Sequence, residues 1–112
     1  MRSLALLALL AVAAAPPAKS PDCADWPLNI AETKLKNAGL LNIDLLDKSK
    51  TKLVKLASEK IGKDLYQQIY DITLFQTDGK AVEVITNSQS SSKECSMSGV
   101  RVFVVAKDLG DL

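Results

Sequence analysis

The sequence predicts an α+β fold in which one amino-terminal helix packs on a three- or four-stranded antiparallel sheet and one disulfide joins them. Three observations lead to this fold. Apolar residues recur at helical spacing over about 28–38, and β-branched and aromatic residues alternate at period two further along the chain. Two cysteines flank these regions. The fold class therefore follows from periodicity together with cysteine placement.

The amino terminus carries the three parts of a secretory signal. Arg2 gives a positive start, about a dozen apolar residues follow without a charge, and small residues at the end of that run suit a signal peptidase. The run is shorter than the roughly 20 apolar residues that cross a bilayer. Cys23 lies well past it and does not suit lipid attachment. We therefore expect a signal peptide over 1–14, a flexible leader over 15–22 and a single α+β domain over 23–112.

This signal predicts export to the periplasm or beyond, with no transmembrane segment after cleavage. Cys23 and Cys95 both survive cleavage, and two cysteines in an oxidising compartment usually pair. The chain contains no His, which is the usual base beside a reactive thiol and a common metal ligand. We predict a Cys23–Cys95 disulfide, no metal site and no cofactor. Closing a loop of about 70 residues should stabilise the fold by about 3 to 5 kcal/mol.

A helix is expected over about 28–38, with its apolar residues on one face. Asn29 can cap this helix, and Glu32 stands three residues later in the capping-box position. Gly39 supplies the stop. Trp26, just ahead of the helix, is interpreted as a lid on the core near the disulfide rather than as a platform for a ligand.

The segment between the helix and the clear strands is ambiguous in sequence. Residues 40–46 fit either a further helical turn or an irregular connection. Residues 51–60 fit a helix or a strand, and we favour the strand. The remaining elements are a strand over 65–75, a hairpin turn over 76–80 around Asp78-Gly79, a strand over 81–86, a loop over 88–98 and a last strand over 99–107.

Composition argues against several classes of function. The net charge is +1 for the full chain and about zero without Arg2, whereas nucleic-acid-binding proteins carry a large basic excess. Without His, acid–base catalysis falls to carboxylates or lysines, and Asp64, Asp71 and Glu83 are the candidates. We favour the interpretation that these three carboxylates are solvated side chains on strand faces. The spacing of Ser90 and Lys93 formally matches S-x-x-K, but in a serine-rich loop this is a chance match. We predict no catalytic residue and no enzyme activity.

Two surfaces are candidates for binding. One is the serine-rich loop, because loops held by a rigid scaffold concentrate binding residues; a solvated loop that merely carries the cysteine is the alternative. Its candidate residues are Asn87, Ser88, Ser90, Ser91, Ser92, Lys93, Ser96 and Met97. The other is a basic strip of alternating lysines, Lys48, Lys50 and Lys52. On an edge strand such lysines also discourage pairing with another chain.

The order of signal, cysteine, helix, antiparallel strands and cysteine resembles that of small secreted bacterial proteins of the YebF and colicin M immunity type. The resemblance rests on Cys23 ahead of 29–38 and on Cys95 ahead of 100–105. It implies a cystatin-like domain with one disulfide that acts outside the cytoplasm through protein contacts. Residues 94–100 also look like a signature of uncharacterised small exported bacterial proteins. No functional residue carries over from either resemblance.

The function we expect is that of a small secreted or periplasmic binding or inhibitor-type protein, whose partner is another envelope or extracellular protein. One alternative is an enzyme that acts on envelope polymers through carboxylates. The other is a binder of anionic surfaces that uses its lysines.

Overall fold

The computed structural model describes residues 20–105, so the predicted signal peptide, most of the leader and residues 106–112 lie outside the described part. Residues 20–105 form one helix and one four-stranded antiparallel sheet in the order β1-β2-β3-β4. The α+β prediction is confirmed. The elements are α1 (Asp25–Asn37), β1 (Lys52–Gly62), β2 (Leu65–Phe75), β3 (Ala81–Ser90) and β4 (Arg101–Val104).

Helix α1 begins three residues earlier than the sequence predicts. Asn29 lies inside it, and its backbone carbonyl accepts a hydrogen bond from Thr33 Oγ1 at 3.1 Å, so the expected Asn29 cap is wrong. The first turn accommodates Pro27 because the N–H that proline lacks has no partner within a helix at that position. The carboxylate of Asp25 suits the positive end of the helix dipole.

The helix ends where Gly39 predicts. Gly39 has a φ of +74°, and its N–H donates to Lys36 O at 3.0 Å while Leu40 N–H donates to Leu35 O at 2.9 Å. These two bonds form a Schellman motif, which requires a left-handed residue at this position.

The connection from α1 to β1 is irregular rather than a second helix. It contains two short 3₁₀ turns, Ile43–Leu45 and Lys48–Lys50, and the side chains of Asn42 and Asp47 accept backbone N–H groups at their starts. Backbone bonds fasten this connection to the end of β2, from Asp47 N–H to Phe75 O at 2.8 Å.

Strand β2 shows the clearest match between sequence pattern and packing. Every second residue from Tyr66 to Leu74 is buried, and this row faces α1. The apolar core lies between the helix and this face of the sheet, where Leu35 of α1 meets Tyr70, Ile72 and Leu74 of β2 and Val84 of β3.

Strand β3 runs four residues beyond its predicted end, and the loop that follows occupies 91–100 instead of 88–98. Residues 87–90 pair with 66–69 of β2 in unbroken register. Their ladder hydrogen bonds outweigh the weak strand preference of Asn, Ser and Gln. The last strand, β4, is shorter than predicted, and 106–107 lie outside the described residues.

Strand β1 confirms the preference for a strand over 51–60. It occupies one edge of the sheet, pairs only with β2 among the described strands, and has register shifts between Lys55 and Ala57 and between Lys60 and Gly62. Asp64, in the tight turn to β2, has a φ of +55°.

The predicted disulfide joins Cys23 to Cys95, with 5.2 Å between their Cα atoms. It fastens the segment before α1 to the loop before β4. Two further bonds reinforce this junction: Trp26 Nε1 donates to Ser98 O at 3.2 Å, and Lys34 Nζ donates to Val100 O at 2.9 Å. Helix and sheet are therefore held together at the disulfide end by covalent and polar contacts as well as by the core.

Candidate functional site

The residues predicted for the serine-rich loop divide into a buried group and an exposed group. Ser88 and Ser90 belong to β3 and are buried on the sheet face that packs on α1, and Ser91 is also buried. Because β3 continues to Ser90, these hydroxyls face the interior and do not meet solvent. Asn87 is half-buried on the opposite face of the sheet.

The exposed part of the loop, Ser92, Lys93, Ser96 and Met97, is held by a set of short-range hydrogen bonds. Ser91 Oγ accepts from Lys93 N–H at 3.2 Å and from Glu94 N–H at 3.0 Å. Met97 N–H donates to Gln89 O at 3.1 Å, which joins the loop to β3. The loop thus presents its exposed side chains from a fixed backbone.

Asp64 connects the β1–β2 turn to this loop. Its carboxylate accepts from Ser92 N–H at 3.0 Å and from Ser92 Oγ–H at 2.7 Å. These two bonds lower the pKa of Asp64, the hydroxyl more than the amide. The carboxylate that the sequence suggested for catalysis therefore fastens two turns together.

A buried polar cluster that the sequence did not predict lies beside the Cys23 end of the disulfide. Gln68 is fully buried and donates through Nε2 to Pro21 O at 2.8 Å and to Ser58 Oγ at 3.0 Å. Tyr70 OH donates to Gln68 Oε1 at 3.3 Å and accepts from Cys23 N–H at the same distance. The alternation of Tyr66, Gln68 and Tyr70 was the signal that Gln68 faces inward.

Two hydroxyls in this region have no hydrogen-bond partner among the described residues. The two atoms are Thr86 Oγ1 and Ser90 Oγ, and both are buried. Ser90 is the serine of the chance S-x-x-K match, and Lys93, the lysine of that match, is exposed on the loop. The interior of the domain is therefore polar towards the disulfide and apolar towards the far end of α1.

The three candidate catalytic carboxylates do not converge. Asp71 pairs with Ile85 and Glu83 pairs with Thr73, so both lie on the sheet face opposite α1, whereas Asp64 sits in the turn at the far end of β2. Two open depressions, of about 260 and 310 Å³, lie near the end of α1 and share Leu41. None of the three carboxylates lines either depression.

Strand β1 is the most exposed strand of the described chain. Ten of its eleven residues are exposed and Ser58 alone is half-buried. Its large apolar side chains include Val54, which is 53% exposed, and Leu56, which is 54% exposed; Leu53 and Ile61 are exposed as well. The edge of β1 that faces away from β2, which we call the β1 edge, pairs with no other described strand.

Lysines crowd the β1 edge. The predicted strip is interrupted, because Lys48 and Lys50 lie on a 3₁₀ turn and only Lys52 lies on the strand. A longer basic stretch takes its place: 48–63 holds six of the fourteen basic residues of the chain, and Glu59 is its one acid. Lys52 Nζ lies 5.6 Å from the centre of the Phe75 ring, and Lys55 Nζ donates to Pro21 O at 3.1 Å.

The sheet face opposite α1, which we call the open face, carries a row of residues that is apolar on β1, β3 and β4 and acidic on β2. The register places Val54 beside Asp71, Asp71 beside Ile85 and Ile85 beside Phe103. Phe103 is 49% exposed, and the Arg101 guanidinium lies 5.5 Å from its ring centre. Oδ1 of Asp71 is buried without a hydrogen-bond partner among the described residues.

Searches of protein-family models, curated proteins and solved structures found no match to this chain. Among residues 20–105 no helix is long and apolar enough to cross a membrane. The same residues contain no group of three or more His, Cys, Asp or Glu side chains placed to hold a metal ion.

Proposed function

We propose that this protein is a small exported binding module of the inhibitor type, which acts by contact with another envelope or extracellular protein. The observation that carries the proposal is the exposure of β1. Edge strands in soluble proteins are normally short or covered, because an unpaired backbone beside apolar side chains invites association. An eleven-residue strand that exposes Leu53, Val54, Leu56 and Ile61 fits a surface that a partner covers.

Export is part of the proposal and rests on the amino-terminal signal pattern. The Cys23–Cys95 disulfide supports it, since structural disulfides persist in oxidising compartments outside the cytoplasm. Cys23 and Cys95 both lie after the predicted signal peptide, so cleavage would leave both cysteines in the mature domain.

The scaffold suits binding because its parts are preorganised. The disulfide, the Trp26–Ser98 bond and the Asp64–Ser92 bonds fix the helix, the loop and the β1–β2 turn against the sheet. A surface that is ordered before binding loses less conformational entropy when the complex forms. Rigid presentation of a contact strand is the arrangement that an inhibitor requires.

The two alternative functions fit these observations less well. An enzyme that uses paired carboxylates needs two acids in one cleft. Asp71 and Glu83 share the open face but line neither of the two depressions, and Asp64 lies in a turn. Binding to anionic polymers through lysines would use only the basic stretch. The exposed apolar side chains of β1 would then have no role.

Site-specific photocrosslinking tests the proposed function. A photoreactive amino acid replaces Leu56 on β1 in one variant and Thr33 on the exposed face of α1 in the control variant. Each oxidised mature domain is irradiated in an extract of the bacterial cell envelope. We expect a discrete adduct from position 56 that excess wild-type domain suppresses, and none from position 33. No adduct at position 56, or equal adducts from both positions, would contradict the proposal.

A further inference from the structure

We propose that the β1 edge binds an extended, acidic polypeptide segment, which joins the sheet as a fifth strand. This inference rests on the proposed function and specifies the chemistry of the partner and the mode of contact. It draws on three features of β1: its unpaired backbone, its regular register over Lys52–Lys55 and its charge.

The backbone of an edge strand offers hydrogen bonds to an incoming chain. Along β1, bonds to β2 use one edge, and every second residue of such a strand directs its N–H and C=O groups the other way. No described strand accepts these groups. Main-chain hydrogen bonds of this kind supply affinity when a peptide adds to a sheet, and the flanking side chains supply selectivity.

The register of β1 defines where a segment fits. The pairing with β2 is regular from Lys52 to Lys55, and a bulge follows at Leu56 before pairing resumes at Ala57. A bulge bends a strand and disrupts its ladder locally. The stretch Lys52–Lys55 is therefore the contact, long enough for about four residues of a partner strand in regular register.

The alternation of side chains along Lys52–Lys55 indicates which residue types a partner strand should carry. Lys52 and Val54 lie on the open face, opposite Thr73 and Asp71, and Leu53 and Lys55 lie on the face that α1 covers elsewhere. Each face thus presents one lysine and one exposed apolar side chain. A matching strand carries an acid and an apolar residue on each face, since opposite charges on neighbouring strands stabilise pairing.

The surrounding charge favours an acidic chain and disfavours a second copy of β1. Lys48 and Lys50 precede the contact, and Lys60 and Lys63 follow it, against the single acid Glu59. Two copies of this edge side by side would bring like charges together, which destabilises strand pairing. Lysines on an exposed edge can therefore prevent self-association and still admit a partner of opposite charge.

Peptide binding to the oxidised mature domain tests this inference. The probe is a fluorescent eight-residue peptide in which Glu alternates with Thr and Val. One control replaces each Glu with Lys. A second control keeps every Glu but methylates alternate backbone nitrogens, which removes strand hydrogen bonds and keeps the charge. We expect the acidic peptide to bind with a Kd below about 1 mM, and both controls to bind at least ten-fold more weakly.

Protein variants locate the contact. Lys52→Glu with Lys55→Glu should weaken binding of the acidic peptide at least ten-fold, whereas Lys36→Glu with Lys80→Glu, which changes net charge equally away from β1, should have little effect. In amide NMR spectra the peptide should shift 52–55 most. Because these lysines are exposed, circular dichroism of both variants is expected to match that of wild type.

Three results would overturn the inference. Equal binding of the methylated peptide would show attraction by charge without strand addition. Tighter binding to vesicles rich in anionic lipid than to the peptide would assign the lysines to a membrane surface, and charge-sensitive self-association in sedimentation would assign the edge to a second copy. If no acidic peptide binds while the position-56 crosslink still forms, this inference fails and the proposed function stands.

Discussion

Asp64 combines a strained backbone with a structural bond. Among the described residues it alone has a positive φ without being glycine. Asp and Asn tolerate this conformation better than other side chains, because their short polar groups bond locally. Here the carboxylate bonds to Ser92, twenty-eight residues away in sequence, so the strained turn and the exposed loop depend on one side chain.

The pKa of Asp64 should report this bond. It lies below its ordinary value of 3.8 because of the Ser92 hydroxyl and amide. The bond therefore contributes stability above the unfolded pKa, and this contribution is lost as pH falls through the lowered pKa. Ser92→Ala should raise the pKa of Asp64 towards 3.8 in a carboxyl NMR titration. The pKa of Asp78, which the backbone N–H of Lys80 lowers, serves as the control and should not move.

Substitutions at Asp64 separate the backbone from the bond. Asp64→Gly and Asp64→Ala both remove the acceptor of the Ser92 bonds, but only glycine adopts the positive φ without strain. We expect the alanine variant to melt at a lower temperature than the glycine variant by calorimetry. Equal melting temperatures would show that backbone strain at this turn has no measurable effect.

Tyr70 contributes a hydroxyl to the buried polar cluster. Tyr70→Phe would leave Gln68 Oε1 and the Cys23 N–H without this partner in a buried site. We expect a loss of about 1 to 3 kcal/mol in urea unfolding. Tyr66→Phe is the matched control, because no hydrogen bond of its hydroxyl occurs in the described part of the chain, and it should change stability little. Similar losses in the two variants would contradict the role given to Tyr70.

Alkaline pH provides a second readout of Tyr70. Burial raises the pKa of its hydroxyl above the ordinary value of 10.0. The folded state thus holds this proton more tightly, so the associated stability is present below about pH 10 and is lost as pH rises through the raised pKa. Stability measured across this range should fall less in Tyr70→Phe than in wild type.

At the scale of elements, the parts predicted from sequence are those that local pattern determines. The alternation in β2 identifies its buried face, Gly39 ends α1, and Asp78-Gly79 turns the hairpin. The extension of β3 to Ser90 was not predictable, since residues 87–90 have weak strand preference and are held by pairing with 66–69 of β2. The start of α1 was missed because Asn29 offers a stronger local cap than Ala24.

The candidate site was predictable only in part, because local sequence pattern does not determine how distant strands pair. The lysines and the serine-rich loop are visible in the sequence, but burial of Ser88 and Ser90 depends on how far β3 continues. Exposure of Val54 and Leu56 depends on β1 lying at the edge of the sheet, and no local pattern determines the order of strands. Apolar residues in a strand normally predict burial, and their exposure becomes visible only when the position of the strand in the sheet is known.

The inner face of β3 provides a test of the buried polar cluster. Thr86 is fully buried and its hydroxyl has no partner among the described residues. Thr86→Val keeps the shape and removes the unpaired group, so we expect the domain to gain about 1 kcal/mol in urea unfolding. Thr73→Val, on the half-buried open face, is the control and should change less. A loss of stability in Thr86→Val would indicate that a buried water bonds the hydroxyl.

For the whole molecule, the disulfide is a contribution to stability that can be removed without changing the core. Replacing Cys23 and Cys95 with Ser opens a loop with a sequence separation of 72. In the chain-entropy model this costs about 4 kcal/mol. Guanidinium unfolding of the double variant should show this loss, and the reduced wild-type domain should match it. A variant as stable as the oxidised wild type would show that the core and the junction bonds suffice.

The strand order has a consequence for how the domain folds as the chain appears, amino terminus first. Neighbouring strands are consecutive, so the sheet can assemble hairpin by hairpin as residues appear. Helix α1, however, emerges first and packs against β3 and the loop before β4, which appear last. The Cys23–Cys95 bridge can therefore close only after nearly the whole domain is present. Until then the chain remains open and unlinked, and the proposed export through a narrow channel would require this form.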